Sequence, residues 1–159
     1  MTIEERVERL EKELARLGEG TTQQAARARK FELVDEQGTV RAMLGMNNDG
    51  EAVLLLKDHD GTTRAALNLG ESGDPALLLE DRNGTGRALL RLLDSGEPAL
   101  QLCDQTGTVR AALTVVGNEP GLMLYDRDGI MRARLVMSET TGPAMGLLDP
   151  NEKVDWHAP

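Results

Sequence analysis

The chain repeats itself about every 23 residues, and this repeat restricts the possible folds more than any other feature of the sequence. An Asp recurs at spacings of 23, 23, 23, 22 and 23 residues; for the first five, a Gly follows three positions later and an Arg three positions after the Gly. The aspartates are Asp35, Asp58, Asp81, Asp104, Asp126 and Asp149. A fixed period of this length is typical of arrays built from one supersecondary unit. The sixth unit, residues 149–159, lacks the Gly and the Arg, as the cap of an array often does.

Each unit contains two short segments in which every second residue is apolar. In one unit, Leu54 and Leu56 precede the turn, and Ala65, Leu67 and Leu69 follow it. A period of two indicates strands, and two strands around an Asp and a Gly indicate a β-hairpin. The sequence therefore predicts an all-β repeat protein of six tandem hairpins in an antiparallel meander.

The turn length follows from which residues share a face. Directly opposed residues on antiparallel strands point to the same face, so placing Leu56 and Ala65 on one face requires an even number of residues in the loop. A three-residue loop would put Arg64 on the leucine face, whereas a four-residue turn over 58–61 puts it on the opposite face. In that turn Asp58 accepts backbone N–H bonds and Gly61 takes the left-handed conformation.

The apolar face of such a sheet is too large to remain in water, since soluble monomers seldom expose apolar patches beyond a few hundred square ångströms. One solution is a prism in which three chains bring their apolar faces together. A single chain folded as a pseudo-three-fold body should alternate with twice the repeat length, but successive units are equally similar. A twelve-strand barrel would leave an interior too wide for Leu and Ala. We therefore expect a parallel homotrimeric, prism-like assembly.

The first segment predicts a helix that joins the chains. Thr2 and Glu5 form a capping-box pattern, and apolar residues then recur at alternating spacings of four and three, which gives one narrow coiled-coil stripe. The stripe comprises Ile3, Val7, Leu10, Leu14 and Leu17. The alternative is a helix that packs on its own domain. The predicted organisation is an oligomerisation helix over 1–18, a connector over 19–30 and the repeat domain over 31–159.

The repeated arginines are the candidate ligand-facing residues. They would form a column on the outer face, with neighbours about 9.6 Å apart when two strands separate them. The column comprises Arg41, Arg64, Arg87, Arg110 and Arg132. It could bind an anionic polymer, or the guanidinium groups could pair with Glu32, Glu80 or the turn aspartates. A net charge of -9 favours the second interpretation and argues against nucleic acid.

Catalytic and metal-binding patterns are not evident. The chain has one cysteine, Cys103, and two histidines far apart in sequence, and its serines lack a repeating His and Asp. The turn sequences resemble the start of a calcium loop, but their third position varies and turn chemistry explains the Asp and Gly. We expect no enzyme activity, no cofactor and no metal. The start of the sequence has no secretory signal and no stretch could span a membrane, so we expect a cytoplasmic protein, with leaderless export left open.

These features predict a non-enzymatic, self-assembling structural or scaffold protein whose main partner is a second copy of itself. The alternative is a fibre-like or lectin-like module that recognises a polymer or cell surface, or an unknown protein, through its repeated outer face. That face also carries apolar residues such as Leu55 and Leu78. The near absence of aromatic residues, at 2%, argues against stacking on sugars.

Overall fold

A computed structural model describes residues 2–18, 27–70, 72–149, 151 and 154–157, with 13–18 and 154–157 described by their backbone alone. Residues 19–26, most of the predicted connector, lie outside the described residues. One helix and twelve strands follow in chain order: α1 Ile3–Gly18, β1 Lys30–Val34, β2 Val40–Met46, β3 Ala52–Lys57, β4 Thr63–Leu69, β5 Pro75–Glu80, β6 Gly86–Leu92, β7 Pro98–Cys103, β8 Val109–Val116, β9 Glu119–Tyr125, β10 Met131–Ser138, β11 Gly142–Leu148 and β12 Val154–His157.

The strands form one open antiparallel sheet in which each strand pairs with its neighbours in sequence. This confirms the all-β meander with one short N-terminal helix. Contacts between elements of the described chain are confined to consecutive strands, and α1 contacts none of them. The sheet is therefore not folded into a pseudo-three-fold body, and no second layer formed by the described residues covers either of its faces.

The prediction of which residues share a face is right, but the predicted four-residue loop is wrong. Leu56 and Ala65 share a face, as expected, but they lie directly opposite each other, whereas the predicted turn would have paired Leu56 with Thr63. The turn itself is one residue tighter, because the Asp58 N–H donates to the Thr62 carbonyl at 2.9 Å and the Gly61 N–H donates to the Asp58 carbonyl at 3.1 Å. Three residues thus lie between the paired Asp58 and Thr62. The register then shifts between Lys57 and Leu56, where Arg64 is the extra, bulged residue on the opposite strand.

The bulge recurs at the Asp end of every hairpin, where the register shifts by one residue. In the first five hairpins the extra residue is the repeated arginine. Gly61 has a φ of 80°, in the left-handed region that glycine adopts without a Cβ clash. The Asp, the Gly and the Arg are therefore three parts of one turn, and we call this side of the sheet the turn edge.

The opposite side of the sheet, which we call the loop edge, connects one hairpin to the next. Most of its loops repeat the three-residue geometry without a bulge, as where the Asn47 N–H donates to the Glu51 carbonyl at 2.9 Å. The exception is the connection between β8 and β9, where Val116 pairs with Glu119 across the two residues Gly117 and Asn118. Both have positive φ angles, of 56° and 70°, as in a tight hairpin turn. This shorter loop accounts for the single 22-residue spacing.

One face of the sheet, the leucine face, carries three parallel rows of apolar side chains. The central row runs straight across the sheet, since each of its residues pairs with the next. From β2 to β11 it comprises Leu44, Leu54, Leu67, Leu77, Leu90, Leu100, Leu113, Leu122, Leu135 and Met145. It contains no small residue and no polar residue.

The two flanking rows lie four residues apart on each strand and mix large and small residues. The turn-side row, from β2 to β11, comprises Ala42, Leu56, Ala65, Leu79, Ala88, Leu102, Ala111, Leu124, Ala133 and Leu147. The loop-side row, in the same strand order, comprises Met46, Ala52, Leu69, Pro75, Leu92, Pro98, Val115, Pro120, Met137 and Pro143.

The outer face is packed more tightly, although the described segments form no covering layer on it either. Val53, Ala99 and Ala112 are only 6%, 3% and 5% exposed, and the two alanines each lie between longer side chains of the neighbouring strands. The longer apolar residues Leu55 and Leu78 are half-buried. Short side chains thus let long ones lie across them, which shields the apolar part of this face within one chain.

Candidate interaction surfaces

The leucine face is an exposed apolar surface that extends over the sheet. Leu54 and Leu77 remain 39% exposed, and Leu90 remains 50% exposed. Shallow apolar grooves of about 350, 270 and 190 Å³ lie between its side chains. Exposed apolar surfaces of this size are typical of interaction sites, and none of the described residues covers this one.

Helix α1 presents a second exposed apolar surface. Its start is a capping box, as predicted: the Thr2 N–H donates to Glu5 Oε2 at 2.7 Å and the Glu5 N–H donates to Thr2 Oγ1 at 3.3 Å. Ile3, Val7 and Leu10 are 81%, 46% and 59% exposed. The side chains of Leu14 and Leu17 lie outside the described part of the helix. A sixteen-residue helix is marginal alone in water, so an uncovered stripe calls for a partner.

The repeated arginines link neighbouring hairpins. Arg64 Nε donates to the carbonyl of Glu80 at 3.0 Å, and Arg64 Nη1 lies 3.5 Å from Oδ2 of Asp58. Asp58 belongs to the arginine's own turn, whereas Glu80 immediately precedes the turn of the next hairpin. The bulge aims the side chain along the turn edge, so that one guanidinium group joins two successive turns.

The same pair of contacts occurs at three further arginines. Nε of Arg41, Arg87 and Arg110 donates to a carbonyl of the next hairpin at 3.3, 3.0 and 3.0 Å. Nη1 of each lies 3.4 Å from its own turn aspartate. The column is therefore a chain of links between repeats, with the turn aspartate as the partner.

Arg132, in the last complete repeat, departs from this pattern. Its Nε donates to Asp126 Oδ2 at 2.6 Å instead of reaching a carbonyl of the next unit. Its Nη1 atom is buried and has no hydrogen-bond partner. The chain of links thus ends where the degenerate sixth unit begins.

Each of the five turn aspartates that pair with a repeated arginine uses both carboxylate oxygens. Asp104 Oδ1 accepts hydrogen bonds from the N–H groups of Thr106 and Thr108 at 2.9 and 3.2 Å, while Oδ2 faces Arg110. The Thr106 hydroxyl, also bonded to Oδ1, and the Thr106 N–H are the main causes that lower the pKa of Asp104 from 3.8 to about 2. The carboxylate form is therefore the one that the turn requires.

The other four turn aspartates share this preference for the charged form. Backbone N–H donors are the largest influence at Asp35 and Asp81 and lower the pKa of both. At Asp58 and Asp126 desolvation is the largest single influence and raises the pKa, but the N–H and arginine donors together outweigh it. The pKa of all five turn aspartates is thus held below its ordinary value.

The turn of the second hairpin gathers possible metal ligands, since atoms of Asp58, His59 and Asp60 approach within 4.8 Å of one another. Asp58 Oδ1 already accepts the N–H groups of Asp60 and Thr62 at 3.1 and 3.0 Å, and its Oδ2 faces Arg64. His59 and Asp60 are 79% and 72% exposed. These contacts are those of a turn and give no preorganised cage for a cation.

A polar groove of about 660 Å³ at the loop edge was not evident from the sequence. Asn68 and Arg91 line it from the strands, and Asp74 and Ser95 line it from the loops. Sequence reasoning missed it because the groove depends on Ala76 lying between two longer neighbours across the sheet. It has the open form of a surface cleft, and the Ser95 hydroxyl that lines it donates to Glu97 Oε2 at 2.9 Å.

A scan against protein-family models finds no match for this chain, and no curated protein matches it significantly. Within the described segments, no helix combines the length and the apolar composition needed to cross a bilayer.

Proposed function

We propose that the protein is a non-enzymatic, self-assembling structural or scaffold protein that forms a parallel homotrimeric β-prism through its leucine faces. One observation carries the proposal: from β2 to β11 one face of the sheet consists entirely of Leu, Ala, Pro, Met and Val, and none of the described residues covers it. The partner that such a face fits best is another copy of itself, because its chemistry is self-complementary.

The accessible surface of the chain supports this proposal. One chain exposes 12155 Å². A compact monomer of 17.3 kDa is expected to expose about 7,800 Å², so the excess is about 4,300 Å². A standard stable interface takes only about 800 Å² from each partner. The excess is large enough for extensive contacts with two neighbours.

Helix α1 supports a parallel arrangement of the copies. Its stripe at Ile3, Val7 and Leu10 is exposed and contacts none of the described strands. Heptad spacing places this stripe against equivalent helices, and such helices associate with their apolar positions facing one another. All copies would then begin at the same end of the prism, so their repeats would lie side by side.

The molar mass in solution tests the proposal. Light scattering at micromolar concentration should give about three times the chain mass of 17.3 kDa. Deletion of residues 2–18 should weaken assembly while the circular dichroism of the strands persists. A mass of one chain for the intact protein would overturn the proposal. Unchanged assembly after the deletion would show that α1 is not an oligomerisation helix.

The alternative, a binding module that uses the outer face, receives less support from the contacts. Four of the arginines each commit two donors to neighbouring turns, and the fifth pairs with its own aspartate. A polymer would have to compete with these bonds or use the remaining donors. The observations therefore favour a column that stabilises the array.

A further inference from the structure

We infer that the leucine faces meet as three walls of a triangular prism, and that at each corner the turn-side row of one copy packs against the loop-side row of the next copy, strand against the same strand. This inference rests on the proposed self-assembly and adds which residues of two copies touch. Two independent patterns in the rows carry it.

The first pattern is the size of the residues across the face. A triangular prism is deepest above the middle of each wall and shallowest at its corners. The central row is large at every strand from β2 to β11, whereas each flanking row is small at every second strand. Two sheets packed face to face keep a uniform spacing of about 10 Å and would favour equal filling of all three rows. The observed gradient suits three walls.

The second pattern is an alternation between the two flanking rows. On each odd-numbered strand from β3 to β11 the turn-side residue is Leu and the loop-side residue is Ala or Pro, as for Leu79 and Pro75 of β5. On each even-numbered strand from β2 to β10 the turn-side residue is Ala and the loop-side residue is Leu, Met or Val, as for Ala88 and Leu92 of β6. No strand from β2 to β11 has two large or two small flanking residues.

Three-fold symmetry makes the alternation within each strand complementary between neighbouring copies. In a closed three-fold assembly each strand lies at the same level as its counterparts in the other two copies. The turn edge of one wall then meets the loop edge of the next, so Ala88 of one copy faces Leu92 of its neighbour. Every level of the corner receives one large and one small side chain, which fills the corner evenly.

Cysteine crosslinking of the full chain tests this contact. In a Cys103→Ser background, the double variant Ala88→Cys/Leu92→Cys should give covalent trimers on non-reducing gels after mild oxidation. The two cysteines cannot join within one chain, because four residues along a strand span about 13 Å and a disulfide needs Cα atoms about 4.4–6.8 Å apart. Each single variant should stay uncrosslinked, since neither position meets its own counterpart.

Two further double variants serve as controls for this experiment. Leu102→Cys/Pro98→Cys repeats the design on β7, so that a folding defect at one level does not decide the result. Ala88→Cys/Val115→Cys joins the same two rows at levels two strands apart, about 9.6 Å, and should not crosslink. Efficient crosslinking of this pair would mean a slipped register and would overturn the inference.

The possible failures can be told apart. Covalent species that stop at dimers would show two walls instead of three. A trimeric mass without crosslinks at either level would overturn the assigned contacts but leave the self-assembling function standing. A monomeric mass would overturn the proposed function itself.

Discussion

The two faces of the sheet are built from alternate residues of the same strands, yet only one of them is complete within a single chain. On the outer face, arginines meet carbonyls and carboxylates of the same chain, and small residues such as Ala99 and Ala112 are almost fully buried. On the leucine face, Leu90 and Leu113 are about half exposed and face nothing. The difference is the one expected if the outer face holds the array together and the leucine face contacts other chains, as we propose.

The largest expected effect comes from comparing substitutions at two neighbouring residues of one strand that lie on opposite faces. Leu100 belongs to the leucine face and Gln101 to the outer face. Leu100→Asp would place a carboxylate in the proposed apolar centre of the prism, where an unpaired charge costs several kcal/mol. We expect association to weaken by about 100-fold or more, measured by sedimentation equilibrium.

Gln101→Asp is the matched control, since it introduces the same charge one residue away on the other face. It should leave the mass of the assembly unchanged. Equal loss of assembly in both variants would contradict the assignment of separate roles to the two faces.

Much of this comparison could be predicted from the sequence, because a strand period of two assigns residues to faces without knowledge of the fold. The period predicts that Leu56 and Ala65 share one face and that Arg64 lies on the other, and the pairing of Leu56 with Ala65 confirms the first part. The bulge could not be predicted, since the shared face requires only that the number of residues between two opposed positions is even. A four-residue turn over 58–61 and a three-residue turn with one bulged residue both leave an even number between opposed residues, so they give the same faces.

The role of the arginines could not be predicted from the sequence either, because it depends on contacts between hairpins. The bond from Arg87 Nε to the Cys103 carbonyl joins residues 16 positions apart and exists only when two hairpins lie side by side. The partner is a backbone carbonyl, which every residue type has, so the sequence does not identify it. The turn aspartate was among the partners considered for each arginine, but the link between successive repeats requires the actual geometry of the bulge.

An intermediate effect is expected from a variant that removes one arginine link between repeats on the outer face. Arg87→Ala removes the bond to the Cys103 carbonyl and the contact with Asp81. We expect the free energy of unfolding, measured in urea at a fixed protein concentration, to fall by about 1–2 kcal/mol, because the side chain is partly exposed and such bonds are screened. Arg87→Lys should recover only part of this loss, since an ammonium group lacks the fork that reaches two partners.

Arg91→Ala is the control for this pair of variants. Arg91 is exposed on the outer face and has no hydrogen-bond or ion-pair partner among the described residues. Its replacement should change the unfolding free energy by no more than about 0.5 kcal/mol. A loss at Arg91 equal to that at Arg87 would show that the links between repeats add nothing to stability.

The smallest expected effect is the acid response of a single turn. The pKa of Asp104 in the folded chain is about 2, below its ordinary value of 3.8, so its carboxylate stabilises the fold at neutral pH. This contribution is complete above about pH 4 and is lost as the pH falls towards about 2, since protonation removes the charge that the Thr106 and Thr108 donors and Arg110 favour. Asp104→Asn should therefore lower the urea midpoint at pH 7, and the difference from the unaltered protein should shrink steadily between pH 4 and pH 2.

Asp94→Asn, at an exposed loop carboxylate on the opposite edge, should give no such pH-dependent difference. If the two variants responded to acid alike, the turn bonds would not be the origin of the acid sensitivity, and the outer face would owe its stability to packing alone.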